Sequence, residues 1–198
     1  MKTVIKKVLV IVVLFTTLLS NASKSSSLTV LDDDRTTTLE LNNVKQGDLL
    51  RVIDSKGSLL YKERISATGN YYKGFDLSHL PNGNYHFELV KDFEIKIIPF
   101  EVLLNKVLIN KKAETSIFKP SIRVNDYTIL INKLSLNNNP VTIKVFFENL
   151  NDYELIYSDI VTNSTSISKS IKLDKKIKGE YKIIIESDNK IYTKNIRI

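Results

Sequence analysis

Two stretches of this chain turn the same corner. LPNGNYHFELV, from Leu80 to Val90, leaves a Pro-Asn-Gly turn and enters alternating Tyr, Phe and Leu. KKIKGEYKIIIE, from Lys175 to Glu186, does the same from a lysine-rich turn. Gly83 and Gly179 lie 179 − 83 = 96 positions apart, and that one shift, without a gap, carries much more than the corner. It pairs Tyr61 with Tyr157, Leu60 with Ile156, Ile65 with Val161, Phe75 with Ile171 and Leu77 with Leu173. It also pairs Tyr85 with Tyr181, Phe87 with Ile183, Leu89 with Ile185 and Ile95 with Ile191. Upstream, LLRVID matches TIKVFF once a gap is allowed. A one-residue slip sends every side chain of a strand to the other face, so shared apolar spacing says more than shared letters. The chain reads as an internal duplication.

The repeated unit is β-rich. TTTLELN, DLLRVID, SLLYKERI, NYHFELV and FEIKIIP are short, partly alternating and rich in β-branched and aromatic residues. Gln46-Gly47, Lys56-Gly57, Gly69-Asn70 and Asn82-Gly83 supply turns between them. No segment carries a helical stripe. The expected fold is all-β: two tandem immunoglobulin-like β-sandwich modules. Module 1 is placed at residues 26–99 and module 2 at residues 118–198. Between them, residues 100–117 are too apolar for a loose linker, and EVLL and KVLI around Asn105-Lys106 suggest a hairpin-like connector.

The first 22 residues read as an address. Lys2, Lys6 and Lys7 precede an apolar run from Val8 to Leu19, followed by Ser20-Asn21-Ala22. The run is shorter than the roughly 20 residues a bilayer needs, so this is a secretory signal peptide and not an anchor. No transmembrane segment is expected once it is removed, and the product belongs in the periplasm, on the outer surface or outside the cell. Removal takes three lysines and no acids, so the charge becomes (29 − 3) − 22 = +4. That modest balance, and the excess of Lys over Arg in the whole chain (24 to 5), argue against nucleic acid as a partner. The absence of cysteine removes disulfides, thiol catalysis and thiolate metal sites together.

Gly83 and Gly179 permit the turn into the strand, and Tyr85 and Tyr181 are placed to send their hydroxyls back to a backbone group at the corner. These four residues are expected to be structural. The first copy also resembles the C-terminal sorting domains of the type IX (Por) secretion system. The residues that carry the likeness are Asp54, Gly57, Asp76, Leu77, Ser78, Leu80, Gly83 and Tyr85, within Leu49 to Pro99. The resemblance implies a β-sandwich export module, with sorting or surface anchoring as its role. Here the good match is internal, and the terminal copy keeps Leu173, Gly179 and Tyr181 but not the Asp-Leu-Ser start.

Catalytic chemistry is sparse. The two histidines, His79 and His86, fall opposite Lys175 and Lys182 under the shift, which marks solvent-facing positions. Asp32, Asp33 and Asp34 lack the alternating spacing, glycine and distant Glu of a calcium loop, and read as an acidic turn. No nucleophile elbow, phosphate loop, dinucleotide fingerprint or zinc-binding helix motif occurs. No cofactor is expected and the chain is not read as an enzyme; a hydrolase using scattered carboxylates is the lesser alternative. Six lysines, Lys169, Lys172, Lys175, Lys176, Lys178 and Lys182, surround the second corner. They either form a surface for an anionic ligand or keep exposed strands from pairing. The expected function is that of a structural or interaction module at the bacterial cell envelope. Its partner would be a protein or an envelope polysaccharide, met through loops or an exposed strand edge.

Overall fold

The computed structural model describes residues 36–149 and 152–198. The expected signal peptide and the Asp32–Asp34 run lie outside the described residues. Among the described residues no helix is long and apolar enough to cross a membrane.

The chain forms two β-sandwiches. In the first, β1 (Thr37–Val44) pairs with β4 (Gly69–Phe75). Against them lies a sheet of β3 (Leu59–Arg64), β2 (Leu49–Asp54), β5 (Gly83–Val90) and β6 (Glu94–Leu103), in that order. Two short strands, β7 (Lys106–Ile109) and β8 (Thr115–Phe118), share the outer edge of β6. In the second sandwich, β9 (Ser121–Asn125), β10 (Thr128–Leu134) and β13 (Ser166–Lys172) form one sheet. The other sheet runs β12 (Asp152–Val161), β11 (Val141–Asn149), β14 (Glu180–Ser187), β15 (Lys190–Arg197). The two four-strand orders are the same, as an internal duplication requires. Registers agree as well: Leu50 lies opposite Leu89 as Ile143 lies opposite Ile185, and Leu39 opposite Lys73 as Ile131 opposite Lys169.

Each sandwich buries its own core. The first is aromatic: Tyr85 stacks on Phe100, which meets Phe87, which meets Phe75, with ring centroids 4.9–5.4 Å apart. The second is built from Ile and Val, including Ile129, Ile131, Ile143, Val145, Ile183 and Ile185, all fully buried. Aromatic side chains in one copy and β-branched ones in the other satisfy the same backbone pattern. Phe75, Leu77, Tyr85, Phe87 and Leu89 and their partners 96 residues on are all buried, as the shared spacing requires. Two pairs behave otherwise. Leu60 and Ile156 are both exposed, and Ile95 is 4% exposed whereas Ile191 is 71% exposed. All four point away from the sandwich interior, so their fate depends on what covers the sheet from outside.

Candidate functional site

The two corners set the strands that carry the rest of each sandwich. The Tyr85 hydroxyl donates to Pro81 O at 2.8 Å, and the Tyr181 hydroxyl donates to Ile177 O at 2.8 Å. Both reach four residues back, which is the tyrosine-corner geometry. Gly179 has a further duty. A Cβ there would lie 2.9 Å from the Phe147 ring, whereas at Gly83 the nearest atom is an ordinary 3.8 Å away.

A second duplicated device closes the sandwich edge. Tyr61 donates to Glu63, and Lys73 reaches the same carboxylate at 2.6 Å. Ninety-six positions on, Tyr157 donates to Asp159 at 3.3 Å and Lys169 reaches it at 2.8 Å. The lysine bonds draw both acids below the ordinary carboxylate range and push both lysines up. Lys169 therefore bridges β13 to β12. Of the other five lysines, Lys172 faces outward from β13 and Lys182 outward from β14, on opposite sheets. The Lys182 ammonium stands 3.7 Å over the Tyr153 ring, and Lys175 stands 5.9 Å over Tyr127. Lys176 and Lys178 are exposed in the loop between β13 and β14. The fold thus spreads the six along an edge and over two faces.

The joint between the sandwiches is where sequence reasoning saw least. On β5, Tyr85, Phe87 and Leu89 point inward, which sends His86 and Glu88 to the outer face. A carboxylate there is ordinarily solvated, yet the Glu88 side chain is 1% exposed. Its cover is the turn between β14 and β15. Asp188 and Asn189 hold φ of 53° and 55°, the paired left-handed conformation of a two-residue hairpin. Asp188 fixes that turn from within. It accepts from the fully buried Lys133 ammonium at 2.9 Å, from Asn139 Nδ2 at 2.9 Å and from Ser187 Oγ at 2.8 Å. Burial alone raises the Asp188 carboxyl, but these partners outweigh it and leave it below its usual value. So held, the turn aims Lys190 across the joint, Nζ 2.5 Å from Glu88 Oε1. His86 Nε2 and Arg51 Nη1 stand 3.7 Å from the two Glu88 oxygens.

His79 is at the surface, 3.5 Å from Asp76 with 85% of its side chain exposed. His86 departs from the expectation of a solvent-facing residue. It does lie on the outer face of its sheet, but its side chain is only 27% exposed and sits beside the covered Glu88. Alternation assigned it to the correct face and said nothing about the second module lying over that face. The cleft here, about 660 Å³, is lined among others by Asp54, Lys56, His86, Glu88, Asp188 and Lys190. Burial raises the Glu88 carboxyl, but His86 and Lys190 more than reverse this and bring it down to about 2. A carboxyl so held stays ionised and bound to its partners at neutral pH, as a contact between the two sandwiches requires. Among the described residues no group of three or more His, Asp or Glu is placed to hold a metal ion. One signal for the joint was present: under the 96-residue shift Glu88 falls opposite Ile184, a lone acid where the sister strand is apolar.

The remaining feature is a pair of sheet edges. β12 and β15 are the outer strands of the second four-stranded sheet. β12 spans ten residues, DYELIYSDIV, with Leu155, Ile156 and Ile160 each 44–62% exposed. It carries no lysine, arginine or proline; its own edge features are three acids, Asp152, Glu154 and Asp159, and a bulge at Ile156. β15 leaves Ile191 exposed and carries Lys190, Lys194 and Arg197 with no acid. In the first sandwich the edge equivalent to β15 is covered by β7 and β8.

Comparison with known proteins adds little beyond this. No family model matches the chain, and no curated protein matches it. Among solved structures, a biofilm-associated protein BSP domain is similar at 16% identity and a TM-score of 0.29, over 84% of this chain and 27% of that one. The selenomethionine-substituted chicken interferon gamma receptor alpha chain is similar at 12% identity and a TM-score of 0.28, over 82% and 92%. The chain spans about a quarter of the length of the first of these.

Proposed function

We propose that this protein is an exported, non-enzymatic interaction module of the bacterial cell envelope, and that it acts by strand addition at an open sheet edge. One observation carries the reading: β12 is a ten-residue edge strand with exposed Leu155, Ile156 and Ile160 and without a basic or proline gatekeeper. Such an edge presents a row of backbone donors and acceptors flanked by apolar side chains. An extended segment can add to it, with the backbone giving affinity and alternate side chains giving specificity. The apolar leader before Ala22 supports export. The test is capture of envelope proteins on the purified chain and on a Leu155→Lys, Ile160→Lys variant. Both positions are already exposed, so the fold is expected to persist. Retention by the wild type and loss by the variant is the expected result; equal retention by both would overturn the edge as the contact surface.

A sorting or anchoring role in type IX secretion is the alternative that the Asp76–Tyr85 stretch implies. Loss of surface delivery on removing residues 118–198, with the remainder still exported to the periplasm, would favour it.

A further inference from the structure

The two edges of the second sheet differ in charge, and the difference points to an occupant. β12 carries Asp152, Glu154 and Asp159 with no base, and β15 carries Lys190, Lys194 and Arg197 with no acid. We propose that β15 of one chain adds to β12 of a second copy, joining molecules head to tail through one continuous sheet. This rests on the edge reading above and names its partner.

Direction allows it. Neighbours in the order β12-β11-β14-β15 are all antiparallel, so β15 runs opposite to β12. A copy displaced sideways across the sheet presents its β12 antiparallel to β15. The first sandwich shows the same edge so occupied, since β8 adds antiparallel to β6 with Ile95 opposite Ile117. Ile95 is buried there, and its counterpart Ile191 is 71% exposed.

Charge fits the register. β12 has a bulge at Ile156, because Val145 lies opposite Tyr157 and Phe146 opposite Leu155. Setting Tyr192 opposite Tyr157 of the second copy, with the same bulge, places Lys194 opposite Glu154 on one face of the sheet. Asp159 is already held by Lys169 and Lys190 by Glu88; the Lys194 ammonium donates to Ile122 O at 2.6 Å and keeps two further N–H donors, so Lys194 and Glu154 are the oppositely charged pair this register brings together. Pairing β12 with a second β12 about a two-fold axis would instead join two acidic strands with no base on either. A contact between two different patches is not satisfied at two copies: it builds a ring where the rotation closes and an open chain where it does not, and not a two-fold dimer.

The experiment is sedimentation velocity of the purified chain over a range of concentration and salt. The wild type is expected to grow in size with concentration, without stopping at two copies, and to shrink as salt is raised. Glu154→Lys or Lys194→Glu alone is expected to weaken association about three- to tenfold. An equal mixture of the two variants, or both changes in one chain, is expected to restore it, which loss of folding would not do. Leu155→Lys with Ile160→Lys is expected to leave monomers with an unchanged melting temperature. A wild type that stays monomeric, one that stops at a dimer, or association indifferent to Lys194→Glu would each overturn the proposal. If the wild type is monomeric but still retains an envelope protein that the double-lysine variant loses, the edge reading stands and self-pairing falls. If neither occurs, both fall.

Discussion

The Lys190 ammonium lies 2.5 Å from Glu88 Oε1, a contact between residues 102 apart that ties the hairpin turn of the second sandwich to the outer face of the first. Glu88 Oε2 and the Tyr192 hydroxyl are both buried without a hydrogen-bond partner, so the buried charge is compensated by Lys190 and His86 at Oε1 and by Arg51, 3.7 Å from Oε2. Lys190→Met is therefore expected to lower stability by about 2–3 kcal/mol, less than a wholly enclosed pair because Lys190 is partly exposed. Glu88→Gln, which removes the charge, is expected to cost less. Urea denaturation of both variants checks the order; Glu88→Gln proving the worse of the two would mean that the acid is held by something other than Lys190.

Acid should loosen the same joint. The Glu88 carboxyl is brought from 4.5 down to about 2 in the folded chain. Between those values the unfolded chain binds the extra proton, so stability rises with pH. The contribution is complete above about pH 4.5 and is lost as pH falls toward 2. Melting temperature measured from pH 7 to pH 2 is expected to fall less steeply below pH 4.5 in Glu88→Gln than in the wild type. Parallel curves would remove Glu88 as a source of the acid sensitivity.

The tyrosine corners make matched predictions. Each hydroxyl donates one hydrogen bond of 2.8 Å to a backbone carbonyl four residues back. Tyr85→Phe and Tyr181→Phe are each expected to cost about 1 kcal/mol, with the fold and any partner capture intact. Denaturation midpoints and a capture assay read the two effects separately. Loss of capture at unchanged stability would make either tyrosine a contact residue.

The corner glycines should not be equivalent. A methyl group at Gly179 meets the Phe147 ring at 2.9 Å, whereas at Gly83 it has room. Gly179→Ala is expected to cost about 1–3 kcal/mol and Gly83→Ala less, the difference arising from displacement of Phe147 off Tyr181. Near-ultraviolet circular dichroism of the tyrosine region checks that displacement, and equal melting temperatures for the two variants would refute it.

How much of this was legible in the letters follows from what kind of contact each feature is. Tyr61 and Tyr157, Phe87 and Ile183, and Tyr85 and Tyr181 could be aligned by counting, because a strand alternates its faces with period two and a duplicated strand keeps that phase. The cores and the corners come from such local regularities, and the spacing of apolar residues was enough to mark them. The Tyr–acid–Lys clasp obeyed the same shift, but counting alone gave no reason to single out Glu63 and Asp159. What lies over the outer face of each sheet was settled elsewhere. His86 reads as solvent-facing and is half-buried beside the covered Glu88, while Ile191 and Ile160, equally apolar in the sequence, are exposed. Alternation tells which way a side chain points from its own sheet. Burial on the far side depends on where another module comes to rest, and that is decided by contacts such as Lys190 with Glu88, between residues with no fixed spacing in the chain.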